Sequence, residues 1–322
     1  EILRCLVGSE MCIRDRYTID VLYHSKSLFA KVGNKEHFPV EFEGGIQMSA
    51  QFGGDQYIAG QKEPVIDMPT RFVDFMRVLV PMAGDDTTPE GEQVNIYGNH
   101  VGSWNFAATA YLNRWKVKIY YEHYFDDHSQ MFFQYGRWKD GHIGLEITFP
   151  KNRFIDTFVY EGLGTKDQTG PMLYDSFWGK FEEQISAKDN YYNHYLYQGW
   201  QHWGMGIGNP LLPGPIYNKN GQITFISNRV LAHHIGFCGS PCQSLSYRML
   251  LSYSRHWGTY DNPLNEIKKQ FNSLFEVTYA PQQLKGWSFT VSGAMDRGSI
   301  LGNNYGGMLV IRKQGIIKSG NK

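Results

Sequence analysis

The sequence predicts an all-β fold: an antiparallel, up-and-down transmembrane β-barrel with long outer loops. Apolar and polar side chains alternate along many segments, as in GWSFTVSGAM (286–295), where Trp287, Phe289 and Val291 alternate with hydroxyl residues. A soluble sheet and a membrane barrel share this pattern. The segments are about ten residues long, which matches a tilted membrane strand. Short and long connections alternate, which favours the barrel because its outer loops are the longer ones.

Eleven segments carry the strand pattern: residues 17–31, 38–52, 98–111, 116–125, 141–149, 153–163, 223–237, 244–256, 270–280, 285–296 and 304–312. The predicted long connections are residues 53–98, 126–141, 164–222, 257–269 and 297–303. Bacterial single-chain barrels have an even number of strands. The eleven strands therefore predict part of a larger barrel.

The first residues define where the barrel sequence begins, and the composition argues against nucleic-acid binding and membrane-spanning helices. Residues 1–16, EILRCLVGSEMCIRDR, have no period or turn pattern, and we interpret them as a sequencing or adapter artefact before a partial barrel at 17–322. The 31 basic residues balance 31 acidic ones, so no basic surplus favours nucleic acid. No apolar run reaches the roughly 18 residues of a transmembrane helix. The sequence thus predicts the outer membrane as location and its lipid as a partner.

The longest connection is rich in flat rings and short polar groups. Candidate polysaccharide-binding residues there are Trp200, His202, Trp203 and Asn209. Such rings can stack on sugars while amides bind hydroxyl groups. The alternative is that the loop folds into the barrel mouth as a plug, with its rings packed on one another.

Two strand ends supply further candidates. SNRVLAHHIGF contributes Asn228, Arg229 and His233, and RHWGTYDNPL contributes Trp257 and Tyr260. We interpret the first group as polar residues facing the barrel interior. Adjacent histidines on a strand point to opposite faces, so no metal site is predicted.

Three other features leave alternatives open. Glu122, Asp126 and Asp127 could serve a glycoside-active enzyme, although a solvated rim of acidic groups is the interpretation we prefer. PTRFVDFMRVLVPMAG predicts a helix capped by Thr70, in a position to lie over the barrel mouth. Cys238 and Cys242, in CGSPC, form either a disulfide or two free thiols.

Several blocks together resemble one family. GNHVGSWNF, YYEHYFDDHSQM, KDGHIGLEI, YNHYLYQGWQHWGMGIGNPLL, SNRVLAHHIGF and YRMLLSYSRHWGTYDNPL are similar to the Wzi capsule-assembly family. The resemblance implies an outer-membrane β-barrel that holds capsular polysaccharide at the cell surface, in a lectin-like role without catalysis. We therefore predict a monomeric, non-enzymatic polysaccharide-binding protein without cofactor. The alternatives are a porin or solute channel, and a surface glycoside-active enzyme.

Overall fold

The computed structural model describes residues 16–34, 38–94, 96–126, 128–132, 139–152, 154–168, 173–175, 184–186, 189–219 and 221–315. The strands are β1 (Arg16–Ile19), β2 (Leu22–Asn34), β3 (Phe38–Phe52), β4 (Gly54–Ile58), β5 (Ile66–Met68), β6 (Asn99–Leu112), β7 (Trp115–Phe125), β8 (Gly141–Thr148), β9 (Thr157–Gly164), β10 (Leu173–Asp175), β11 (Gln184–Ser186), β12 (Gln201–His202), β13 (Met205–Gly206), β14 (Val230–Cys242), β15 (Leu245–Gly258), β16 (Pro263–Tyr279), β17 (Trp287–Gly298) and β18 (Asn304–Lys313). The helices are α1 (Phe72–Leu79), α2 (Glu90–Val94), α3 (His128–Met131) and a 3₁₀ turn, Pro215–Tyr217.

One sheet dominates the fold. Its eleven strands lie in the order β18-β17-β16-β15-β14-β9-β8-β7-β6-β3-β2, and each pairs antiparallel with its neighbours. The remaining strands form small sheets: β1, which precedes β2, forms one with β4 and β5, and the others pair within the connection between β9 and β14. Among the described residues, no ladder joins β2 to β18, so both are edges. The predicted antiparallel, up-and-down arrangement of eleven strands is confirmed.

The two faces of this sheet differ as the alternation predicts. The apolar face is bare: Val291, Leu309 and Ile119 are 60%, 64% and 55% exposed, so no second protein layer covers them. The other face carries hydroxyl and charged groups that bond across strands, such as Thr278 to Thr290 at 2.8 Å. Polar-face residues from β2 to β16 line one common cavity, so this is the inner face of the curved sheet.

The connections agree only in part with the prediction. Residues 53–98, 126–140 and 165–229 are long and leave one end of the sheet, while 113–114 and 243–244 are tight turns at the other end. The predicted long connection at 257–269 is wrong. β15 and β16 extend further than the alternation shows, which leaves only residues 259–262 between them. Gly258 permits this tight turn by adopting a φ of 85°.

Helix α1 begins one residue later than predicted, and it does not lie over the barrel mouth. Arg71, not Thr70, caps it, in a capping box with Asp74. Its Phe75 and Val78 pack on Ala50 and Phe52, on the outward face of β3. The helix therefore covers the outer side of the sheet rather than its mouth. No helix in the described ranges combines the length and apolar character needed to cross a membrane.

The two cysteines of CGSPC do not form the disulfide considered from the sequence, since both are free thiols. Cys238 pairs with Arg248 and Cys242 with Leu245, so both lie within the same strand, β14. Four steps along an extended strand separate Cα atoms by about 10 Å or more. A disulfide requires less than about 7 Å.

Candidate functional site

A cavity of about 930 Å³, with many hydrogen-bonding side chains on its strand side, lies against the inner face of the sheet. One side is the strand wall, which contributes side chains from β2 through β16. The other side is the long connection between β9 and β14, whose residues 208–213 face the wall. We call residues 208–213 the plug segment.

A row of hydrogen-bonding side chains crosses the cavity wall at one height. Register places the members opposite or diagonal to one another on successive strands, from β3 to β17. We call this row the polar belt, and it consists of Gln47, Ser103, Glu122, His142, Glu161, His234, Ser252, Asn272 and Asp296. The belt therefore offers polar contacts on nine of the eleven strands.

Two carboxylates flank one imidazole in the middle of the belt. Nδ1 of His142 lies 3.7 Å from Glu122, and Nε2 lies 3.4 Å from Glu161. Glu122 also accepts from Ser103 at 2.7 Å and from Gln47 at 3.0 Å. These contacts fix both carboxylates against the wall, in front of the cavity.

Toward the opposite end of the strands, where the short turns lie, the charged side chains of the inner face form ion pairs. Lys31 lies 2.9 Å from Glu41 and 3.1 Å from Glu43, and Lys118 lies 3.2 Å from Glu43. The pairs Lys116–Glu146 and Arg248–Glu276 continue this tier at 3.3 Å each. Acidic and basic groups therefore balance here. The belt does not balance in this way, because its three carboxylates, on Glu122, Glu161 and Asp296, are accompanied by the two imidazoles of His142 and His234 and by no lysine or arginine.

The plug segment is held to the wall by an apolar contact. Leu212 is 3% exposed and packs with Phe225, Val230 and Ala232. Val230 and Ala232 belong to β14 and share the inner face with His234. The long loop thus folds against the inner wall near the end from which the long connections leave, as the plug alternative expects.

A buried polar network fixes the base of the same loop. Asn228, with no exposed surface, donates to the carbonyl of Tyr191 at 2.8 Å, and its own carbonyl accepts from Thr165 at 2.7 Å. Asp140 accepts from the Tyr191 hydroxyl at 3.1 Å and from the backbone N–H of Gln168 at 2.5 Å. Burial raises the pKa of Asp140, while these donors oppose the rise. This network closes the loop onto the strand ends.

The predicted residues of the long loop do not form one site. Trp200 is 2% exposed and packs edge-to-face on Tyr23, and Asn228 lies in the buried network. Asn209 lines the cavity, where its side chain accepts from the N–H of Leu211 at 2.9 Å. His202 and Trp203 lie on the outer surface, with Trp203 70% exposed.

The candidate polysaccharide-binding residues at the strand ends lie near one another, but on the outward face of the sheet and not in the cavity. Arg229 stacks over Tyr260 at 3.7 Å, and its carbonyl accepts from the N–H of Trp257 at 3.0 Å. His233 is exposed and bonds the hydroxyl of Tyr160 at 2.8 Å. The predicted interior position of Arg229 and His233 is wrong, since the positions between them, Val230 and Ala232, are the inward ones.

The acidic candidates separate in the same way. Glu122 belongs to the polar belt, whereas Asp126 lies at the end of β7 in contact with Gln130, and Asp127 lies outside the described residues. Within the described ranges, no group of three or more His, Cys, Asp or Glu is placed to hold a metal ion. The absence of catalysis and of a metal site both stay predictions.

Comparisons with known proteins add little. No family model matches the chain and no curated protein is similar to it, so the Wzi resemblance remains a prediction. The outer membrane protein OprD from Pseudomonas aeruginosa is structurally similar at 10% identity and a TM-score of 0.34, over 94% of each chain. A similarity at this level carries no argument about function.

The surface of the sheet itself gives the location. The outer face is apolar and exposed over most of the sheet beyond helix α1, the inner face carries charged and hydroxyl groups, and the strands are joined in sequence order. These are the features of a β-strand protein of the outer membrane. The predicted outer-membrane location agrees with this structure.

Proposed function

We propose that the chain forms the wall of an outer-membrane channel for small polar solutes, with a preference for cations. The observation that carries this proposal is the polar belt, which faces a cavity of about 930 Å³ beneath the plug segment. Hydrogen-bonding groups on successive strands can replace part of a solute's hydration shell as it passes. The surplus of carboxylates in the belt favours cations over anions.

The test is conductance of the protein purified from outer membranes and reconstituted in planar bilayers. We expect steady single-channel currents in KCl, and a reversal potential in a salt gradient that corresponds to K⁺ preferred over Cl⁻. A folded preparation that carries no current, or one that prefers Cl⁻, would contradict the proposal.

Polysaccharide binding is a second candidate, and the exposed rings of the long loop favour it. Trp203 is 70% exposed and Tyr217 57% exposed, and neither ring has a protein layer over it. Flat aromatic faces of this kind suit the apolar side of a sugar ring. Trp200 cannot take part in the present conformation because it is buried.

For this candidate, Trp203→Ala is expected to weaken binding of capsular polysaccharide about tenfold, which corresponds to about one lost stacking contact. Equilibrium binding to cells or purified protein measures the effect. Ile216→Ala is the matched control, because Ile216 is 60% exposed on the same loop but has no ring. Equal binding by both variants and the unaltered protein would remove the polysaccharide candidate.

A further inference from the structure

A cluster of cations lies on the outward face of the sheet, at the end from which the long connections leave. We call it the cationic rim, and it consists of Lys166, Arg229, Arg255, Lys269 and Arg297. Their neighbours in sequence point inward: Thr165, Ser254, His256 and Gln270 all line the cavity. The alternation of a strand therefore turns the Arg255 and Lys269 side chains outward.

Strand register and side-chain contacts join four of the five cations, Lys166, Arg229, Arg255 and Lys269. Arg255 and Lys269 are direct partners in the β15–β16 ladder, so they are adjacent on one face. Trp257 connects them to the loop residues, because its ring lies 5.4 Å from Arg255 and 5.0 Å from the Lys166 ammonium. Arg229 stacks over Tyr260 at 3.7 Å. Aromatic rings thus contact three of the cations, Lys166, Arg229 and Arg255.

The cations of the rim form no ion pair with the residues that the structure describes. In the part of the chain that the structure describes, no carboxylate forms an ion pair with Lys166, Arg229, Arg255, Lys269 or Arg297. Asp167, a nearby acid, lies 3.7 Å from a further cation, Lys139. Five cations on one surface without acidic partners form a site for an anion.

An apolar surface begins directly below the rim. Tyr253 and Ile235, each 39% exposed, follow Arg255 and Leu231 down the outward face, and Phe271 lies opposite Tyr253. A ligand that fits both surfaces carries negative charge at one end and hydrocarbon at the other.

We infer that the cationic rim binds the phosphate groups of a phosphorylated glycolipid of the outer leaflet, with its acyl chains along the apolar strands below. Arginine and lysine clusters bind phosphate through charge-assisted hydrogen bonds, and paired aromatic rings favour the interface between headgroup and hydrocarbon. This inference requires the outer-membrane location but not the channel.

The test is equilibrium binding of fluorescent diphosphoryl lipid A, in detergent micelles, to the protein purified from outer membranes. The double variant Arg255→Gln/Lys269→Gln is expected to bind about tenfold or more weakly, since two phosphate contacts are lost. Dephosphorylated lipid A should bind both proteins equally and weakly. Inorganic phosphate, at the concentration of the lipid, should not compete.

Lys313→Gln is the matched control. Lys313 also lies over a tryptophan on the outward face, 5.3 Å from the Trp287 ring, but at the opposite end of the strands. It should leave lipid A affinity unchanged, and slower migration of boiled than unboiled samples on gels should show that every variant is folded. Unchanged affinity in the double variant would overturn the inference, as would competition by inorganic phosphate equal to that by lipid. Because conductance is measured separately, failure of the channel would leave this result standing.

Discussion

Leu212→Asp is expected to raise single-channel conductance several-fold. Leu212 is 3% exposed and fixes the plug segment to Val230 and Ala232 on the inner wall. The substitution removes about 2 kcal/mol of apolar burial and places a charge where desolvation costs several kcal/mol more. The plug segment should therefore leave the wall and open the upper part of the cavity.

The control for this prediction is Ile216→Asp. It introduces the same charge on the same loop, but at a position that is 60% exposed, so the loop should keep its place and the conductance its value. Planar-bilayer recordings of both variants beside the unaltered protein measure the difference. Equal currents from all three would show that the plug segment does not limit the passage.

The strands could be predicted from the sequence because the pattern that produces them is local. Trp287, Phe289 and Val291 alternate with hydroxyl residues, and that alternation alone fixes which side faces outward. The start of β16, at Pro263 rather than at the predicted residue 270, does not follow from such a pattern. Residues 257–269 lose their apolar alternation, yet the ladder of β15 with β16 continues through His256 and Lys268. Backbone pairing, which needs no apolar side chain, extends the strands there.

Single residues of the candidate site could be predicted from the sequence, but their contacts with one another could not. His142 and Glu122 each belong to a polar strand face in the sequence, but nothing local shows that the imidazole of His142 lies between Glu122 and Glu161. Their contact depends on the register in which β7, β8 and β9 pair, and that register is set by the connections between these strands. A shift by one residue would move each side chain to the other face.

The rings of the long loop show the same limit. Trp200 and Trp203 are three residues apart and look alike in the sequence, yet one is 2% and the other 70% exposed. Trp200 is buried because the loop folds back against Tyr23 of β2, a contact between residues far apart in the chain. Composition predicted an aromatic loop correctly, but it could not distinguish packing rings from exposed ones.

Replacing both central carboxylates of the polar belt, in Glu122→Gln/Glu161→Gln, is expected to reduce the preference for K⁺ over Cl⁻ about 3- to 10-fold. Each carboxylate lies on the cavity wall. A unit charge about 6 Å from a passing ion contributes roughly 0.7 kcal/mol in water, or a factor of about three, before salt screening. The amide keeps the size of the carboxylate, and at position 122 its oxygen can still accept from Ser103 and Gln47, so the wall itself should persist.

Reversal potentials in a KCl gradient measure this change, and low salt should enlarge it because screening weakens. The control is Glu63→Gln/Asp86→Asn, which removes two carboxylates that are exposed on outer connections, away from the cavity. Both double variants remove two carboxylates and leave an amide in place of each, so the comparison tests the position of the removed groups. If the control shifts the reversal potential as much as the belt variant, ion preference comes from the overall field of the protein. If neither double variant shifts the reversal potential, the permeating ions do not come close to the polar belt.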